Sequence, residues 1–129
     1  MKTPSRTILF VDDDALIRGT YDFALKAAGY VVLLADDGRK GLDLLEQHVV
    51  DIAILDVFMP GQDGIETLIA IKRKFPGIKV FVMSGGGVRG QYDFLGAAMK
   101  LGADGIVRKP ISPQQLIAML ENDTLPRTA

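Results

Sequence analysis

The chain contains no cysteine. Disulfides, thiolate catalysis and cysteine-based zinc sites are therefore excluded. It has one histidine, His48, which rules out metal motifs built on paired histidines and reads as the polar end of a helix. Net charge is almost absent too: fifteen basic residues against sixteen acidic leave −1. Without a basic excess or a basic stripe, a nucleic-acid partner is not expected. No apolar run approaches the ~20 residues that a membrane span needs, and the polar N-terminus MKTPSRT lacks a signal-peptide core. The expectation is a cytoplasmic protein with no membrane or nucleic-acid partner, a monomer or weak dimer.

What is present is an ordinary globular composition, 48% hydrophobic and 24% charged over 129 residues, enough for one domain with a real core. Five apolar β-type runs are read as strands: Thr7–Val11, Tyr30–Ala35, Asp51–Leu55, Lys79–Met83 and Asp104–Val107. Most are near-continuous Val, Ile and Leu, the mark of strands buried on both faces of a parallel sheet. Helix-period segments lie between and after them: Ala15–Ala28, Arg39–Gln47, Gly64–Phe75, Tyr92–Leu101 and Pro113–Glu121. Gly29, Gly77 and Gly102 stand where helix C-caps belong, and Ser112-Pro113 with Gln115 reads as a capping box. The alternation predicts an α/β fold, a doubly wound five-stranded parallel sheet of flavodoxin-like order 2-1-3-4-5. Residues 1–123 form the expected domain and 124–129 a short C-terminal tail, within a polar stretch that starts at Asn122.

In such sheets ligands bind outside the carboxyl ends of the strands. The first run stops abruptly in Asp12, Asp13 and Asp14. Two carboxylates about 4 Å apart repel by roughly 1 kcal/mol in water and about 4 kcal/mol near a protein surface. A bound cation is the simplest compensation. The remaining ends carry Asp36 and Asp37, then Asp56, Ser84 and Lys109. With the first and third strands adjacent, Asp13 and Asp56 converge, and oxygen-only ligands on a partly open site suit Mg²⁺. Lys109 and Ser84 could meet an acid or a bound anion. Ordinary loop ion pairs are the plainer alternative, but four separate ends carry a suitable group. Asp14 reads as the N-cap of the first helix, and Asp36 and Asp37 as turn and N-cap residues. Lys72-Arg73-Lys74 reads as a solvated helix end on the favourable side of the dipole, and Leu42, Leu44 and Leu45 as core.

The set VDDD, DVFMPGQDG, MSG and KP, in this order along nearly the whole chain, resembles the receiver domain of two-component response regulators, of the chemotaxis-regulator, stand-alone type. The resemblance implies that Asp56 accepts a phosphoryl group from a histidine kinase or phosphotransfer protein. It implies that Asp13 binds Mg²⁺ directly, that Asp12 holds it through water, and that the main-chain carbonyl of Phe58 is a further ligand beside Asp56. Lys109 would neutralise phosphoryl oxygens and Ser84 would donate to them. Met59-Pro60 and Gly64 would complete the pocket loop, and the Lys109–Pro110 bond would be cis. The domain would catalyse only its own phosphorylation and dephosphorylation, switching partner binding or serving as a phosphate shuttle or sink.

The sequence departs from the family in three places. Ile106 stands where receivers carry the aromatic switch residue, so the signal is expected to leave through the loop Gly85–Gln91 and the helix Tyr92–Leu101. The segment from Ser84 to Lys109 reads as a few residues longer than usual, and its glycine-rich loop lacks the Gly-Lys-Ser/Thr ending of a nucleotide cradle. Ile111 replaces a common Phe. Two other functions compete. A pseudo-receiver would bind partners without taking phosphate. An Mg-dependent aspartyl-nucleophile phosphatase would use Asp12 and Asp14 as Asp-x-Asp, but Leu16 stands where it expects Thr. Only Glu121 and Asp123 follow Lys109 as later acids.

Overall fold

The apolar runs form the strands, and the periodic segments form the helices around them. The computed structural model describes residues 6–56, 63–85 and 91–124. Strands Thr7–Val11 (β1), Val31–Ala35 (β2), Ile52–Asp56 (β3), Lys79–Gly85 (β4) and Gly105–Lys109 (β5) alternate with five helices. The helices are Ala15–Ala27 (α1), Gly38–Gln47 (α2), Asp63–Lys74 (α3), Gln91–Lys100 (α4) and Pro113–Thr124 (α5). All pairings are parallel and the order is β2-β1-β3-β4-β5, as the pattern of runs predicts.

Alternation along each strand builds two cores. Ile8, Phe10, Ile54, Phe81, Met83 and Val107 pack with Tyr21 and Leu25 of α1 and Leu116 and Leu120 of α5. Leu9, Val11, Leu55, Val80 and Val82 pack with Leu45 of α2, Leu68 and Ile71 of α3 and Ala98 of α4. Leu42 and Leu44 rest against this second core. Both faces are covered, which is why the strands read as continuous apolar runs.

Local chemistry sets the ends of the helices. Asp14 caps α1, its Oδ1 accepting from the N–H groups of Leu16 and Ile17 at 2.9 and 3.3 Å. Asp37 does the same for α2 through the N–H of Lys40 at 2.8 Å, and Asp36 pairs with Lys40 at 2.8 Å. The capping box of α5 is reciprocal, with Gln115 N–H to Ser112 Oγ and Ser112 N–H to Gln115 Oε1 both at 3.0 Å. Gly29 and Gly102 take positive φ, 102° and 108°. Each closes a Schellman turn, Tyr30 N–H reaching Leu25 C=O and Ala103 N–H reaching Ala98 C=O. His48 is the exposed C-cap of α2.

Several expectations shift. Gly77 is not a positive-φ cap. Pro76 ends the helix pattern, and a tight turn from Phe75 is closed by Ile78 N–H at 3.0 Å. Strands β4 and β5 run two residues further than their apolar runs, because the ladder continues through Ser84↔Arg108 and Gly85↔Lys109 whatever the side chains. Asp104 precedes β5. Its Oδ2 accepts from Val80 N–H at 2.8 Å and from Lys72 Nζ at 2.9 Å. Lys72 is therefore a half-buried brace at the far end of the sheet, whereas Arg73 and Lys74 are exposed. Helix α5 continues through Asn122 and Asp123 to Thr124.

Gly105 is required by its neighbour. A Cβ there would lie 2.7 Å from two ring atoms of Phe81, itself 1% exposed and unable to retreat. Gly105→Ala should cost about 1–3 kcal/mol of overpacking. The expected result is a lower urea midpoint with an unchanged slope. An unchanged midpoint would show that the ring yields.

Candidate functional site

The topology delivers the acidic residues to one place. Val11↔Leu55 is the last register pair between β1 and β3, so the residues that follow them, Asp12 and Asp56, emerge side by side. One carboxylate oxygen each from Asp12, Asp13 and Asp56 lies within 4.8 Å of the others. Asp12 is 1% exposed and Asp56 5%, while Asp13 faces solvent. Among the described residues no second group of three such side chains converges.

The loop carrying Asp12 is held on several sides. Its N–H donates to Ala35 C=O at 3.1 Å. Its Oδ1 accepts from Asp14 N–H at 3.0 Å, and its carbonyl accepts from Arg18 Nη1 at 2.7 Å. The third aspartate is thereby explained. The Asp14 carboxylate is spent on the start of α1, so it does not form an Asp-x-Asp pair with Asp12.

Lys109 closes the site from β5. Its Nζ lies 3.2 Å from Asp12 Oδ2 and 3.4 Å from Asp56 Oδ2. Burial alone would pull this ammonium down, but Asp56 and then Asp12 outweigh it, and the pKa stands above the ordinary lysine value. The lysine is firmly a cation. Ser84 is 1% exposed in β4, one residue beyond Met83, which is paired with Asp56. The Lys109–Pro110 bond is cis.

Asp12, Asp13, Asp56 and Lys109 are thus brought together, with Ser84 on the strand beside Asp56. Phe58, Met59 and Pro60 lie outside the described residues, as does the loop at 86–90. Gly64 is buried near the start of α3. Ile106 is half-buried on β5 opposite Val82. Two contributors were missed by sequence reasoning. Arg18 shows no pattern beyond a helical position one turn past Asp14, and Tyr21 reads only as a buried helix residue.

Among the described residues three carboxylates face the Lys109 ammonium, a formal excess of negative charge. With two of the acids buried, a hard cation with oxygen preference fits the donor set. An ammonium in such a site also suits an anionic ligand.

Comparison with known proteins identifies the family. The response regulator receiver domain family matches residues 8–121. The transcriptional regulatory protein FixJ of Bradyrhizobium diazoefficiens is 37% identical over 115 residues, which cover 89% of this chain and 55% of that protein. A cyclic di-GMP phosphodiesterase of Thermotoga maritima is 34% identical over 110 residues, 85% of this chain and 28% of that one. The chain therefore spans about half the length of the first of these relatives and less of the second. A receiver-domain structure from Clostridium thermocellum superposes with a TM-score of 0.83 at 32% identity, covering 92% of this chain and 93% of that one. A CheY-like receiver from Methanospirillum hungatei gives 0.82 at 28% identity, with coverage of 92% and 93%. With the family model spanning most of the chain and the sheet ordered 2-1-3-4-5, the chain belongs to the response regulator receiver domain family of two-component, phosphorylation-dependent signalling.

Proposed function

We propose that the domain accepts a phosphoryl group on Asp56 from a histidine kinase or phosphotransfer protein, with Mg²⁺ held by Asp12, Asp13, Asp56 and the carbonyl of Phe58. The observation that carries this reading is the convergence of three carboxylates with Lys109 Nζ 3.2 and 3.4 Å from two of them. Bound there, the metal would supply positive charge to the phosphoryl oxygens. The protein's own residues do the rest.

An Asp56 carboxylate oxygen attacks phosphorus, and a new O–P bond forms as the donor's P–N bond breaks. The electron pair leaves on the imidazole nitrogen, which takes a proton from water. With a small acyl phosphate the P–O bond breaks and a carboxylate departs. Lys109, already an ammonium at Asp56, moves onto the arriving phosphoryl oxygens. Ser84 donates its hydroxyl to one of them. Positioning and charge neutralisation of this kind supply most of the catalysis in phosphoryl transfer. The domain acts on no other substrate, so it is not an enzyme in the usual sense.

The cellular reading is a cytoplasmic switch, shuttle or sink. No described helix is long and apolar enough to cross a membrane. A monomer or weak dimer that binds a downstream protein, and no nucleic acid, is the expected form.

Incubation with acetyl phosphate and Mg²⁺ should add one base-labile phosphoryl group by intact mass, and Asp56→Asn should abolish it. Loss in Asp12→Asn with retention in Asp56→Asn would favour the phosphatase, and no incorporation at all would favour the pseudo-receiver. Asp13→Ala should weaken Mg²⁺ binding, measured by calorimetry, at least tenfold, by analogy with one lost charged ligand contact of about 1.5–3 kcal/mol. Normal Mg²⁺ affinity in that variant would remove Asp13 from the ligand set. On phosphorylation, hydrogen exchange should slow mainly across 85–101. Ile106 has no ring to swing, so a response confined to β5 would contradict a backbone output.

A further inference from the structure

Tyr21 is buried, and the mechanism above leaves its hydroxyl unused. Its ring stacks on Phe10 of β1, with centroids 5.2 Å apart and planes inclined by 19°. Its hydroxyl donates to the carbonyl of Ile111, 90 residues further along the chain. That carbonyl sits in a very short connection. Lys109 ends β5 and Ser112 opens the capping box of α5, so only Pro110 and Ile111 join them.

The same residues enclose one space. Ile17, Tyr21, Lys109, Pro110 and Ile111 line an open cavity of about 340 Å³ beside the acidic cluster. The electrical environment matches. Burial raises the Tyr21 hydroxyl's pKa, nearby Lys109 pulls it down, and Asp12 pushes it up. Tyr21 therefore stands on rigid β1 through its ring, holds the β5–α5 connection through its hydroxyl, and lies within the field of Lys109.

We propose that Tyr21 is a positioning residue for Lys109: it anchors the peptide carbonyl two residues past the lysine and so keeps Nζ between Asp12 and Asp56. A lysine stem has many rotamers, and its ammonium is a mobile point charge. The stem is held by its ion pairs at one end and by its backbone at the other. Loosening the backbone end lets the ammonium spend less time where phosphoryl oxygens arrive, and the loss appears in the transfer rate. The metal ligands Asp12, Asp13 and Asp56 hang from other strands and are unaffected.

The rate arm of this inference rests on phosphorylation of Asp56. The test uses Tyr21→Phe, which keeps the ring and its stacking on Phe10. Asp104→Asn, at the opposite end of the sheet, controls for lost stability. Three quantities are measured for each: phosphorylation by acetyl phosphate at saturating Mg²⁺, Mg²⁺ affinity, and the Lys109 side-chain NH₃⁺ resonance by ¹H–¹⁵N NMR. Tyr21→Phe should phosphorylate about fivefold more slowly, the size set by one ordinary hydrogen bond. Its Mg²⁺ affinity should not weaken, and its Lys109 resonance should broaden through faster exchange. Asp104→Asn should keep the wild-type rate and resonance.

An unchanged rate and resonance in Tyr21→Phe would overturn the proposal. A parallel fall of rate and Mg²⁺ affinity, reproduced by Asp104→Asn, would also overturn it, since that is loss of stability alone. If the wild-type protein takes no phosphoryl group, the Asp56 reading fails separately. The resonance then decides the proposal alone: broadening in Tyr21→Phe upholds it, and no change overturns it.

Discussion

The excess of negative charge at the carboxyl end of the sheet organises this molecule. Asp12 and Asp56 are almost fully buried, Asp13 lies beside them, and Lys109 is the cation placed on two of the three. Burying an uncompensated carboxylate is expensive. The chain partly offsets this with Lys109 and with backbone donors, such as the Asp14 N–H on Asp12. Among the described residues the three carboxylates still outnumber that one ammonium, and such an excess favours a cationic ligand.

The fold makes that concentration possible. A parallel sheet with both faces covered sends all its strand ends the same way, and the order β2-β1-β3-β4-β5 puts β1 next to β3. Residues 44 positions apart in sequence, Asp12 and Asp56, become neighbours because Val11 and Leu55 are in register. The caps then remove bystanders. Asp14 and Asp37 are occupied by helix N-termini and Asp36 by Lys40, which leaves Asp12, Asp13 and Asp56 as the converging acids.

Much of this was legible from sequence for physical reasons. Near-continuous Val/Ile/Leu runs have few alternatives to buried parallel strands, and the Ser112–Gln115 capping box and the glycines at 29 and 102 mark helix ends through local rules. The acids, Ser84 and Lys109 could be placed because the topology follows from the order of elements. What escaped was non-local. Polar Ser84, Arg108 and Lys109 do not look like strand residues, yet backbone pairing carries the ladder through them. Lys72 looked solvated until Asp104 arrived from 32 residues away. The bond from Tyr21 to Ile111 and the fit of Gly105 against Phe81 depend on contacts between distant segments, and no periodicity encodes them.

A divalent cation that completes this site would stabilise the folded protein. The direct measurement is the thermal midpoint of the unphosphorylated protein as Mg²⁺ is raised, against NaCl at matched ionic strength. A ligand that binds only the folded state stabilises it by RT ln(1 + [L]/Kd), about 2.7 kcal/mol at a hundredfold excess over Kd. The expected result is a logarithmic rise with Mg²⁺ beyond Kd that NaCl does not reproduce. Equal responses to both salts would mean that the cluster is merely screened, and would contradict it.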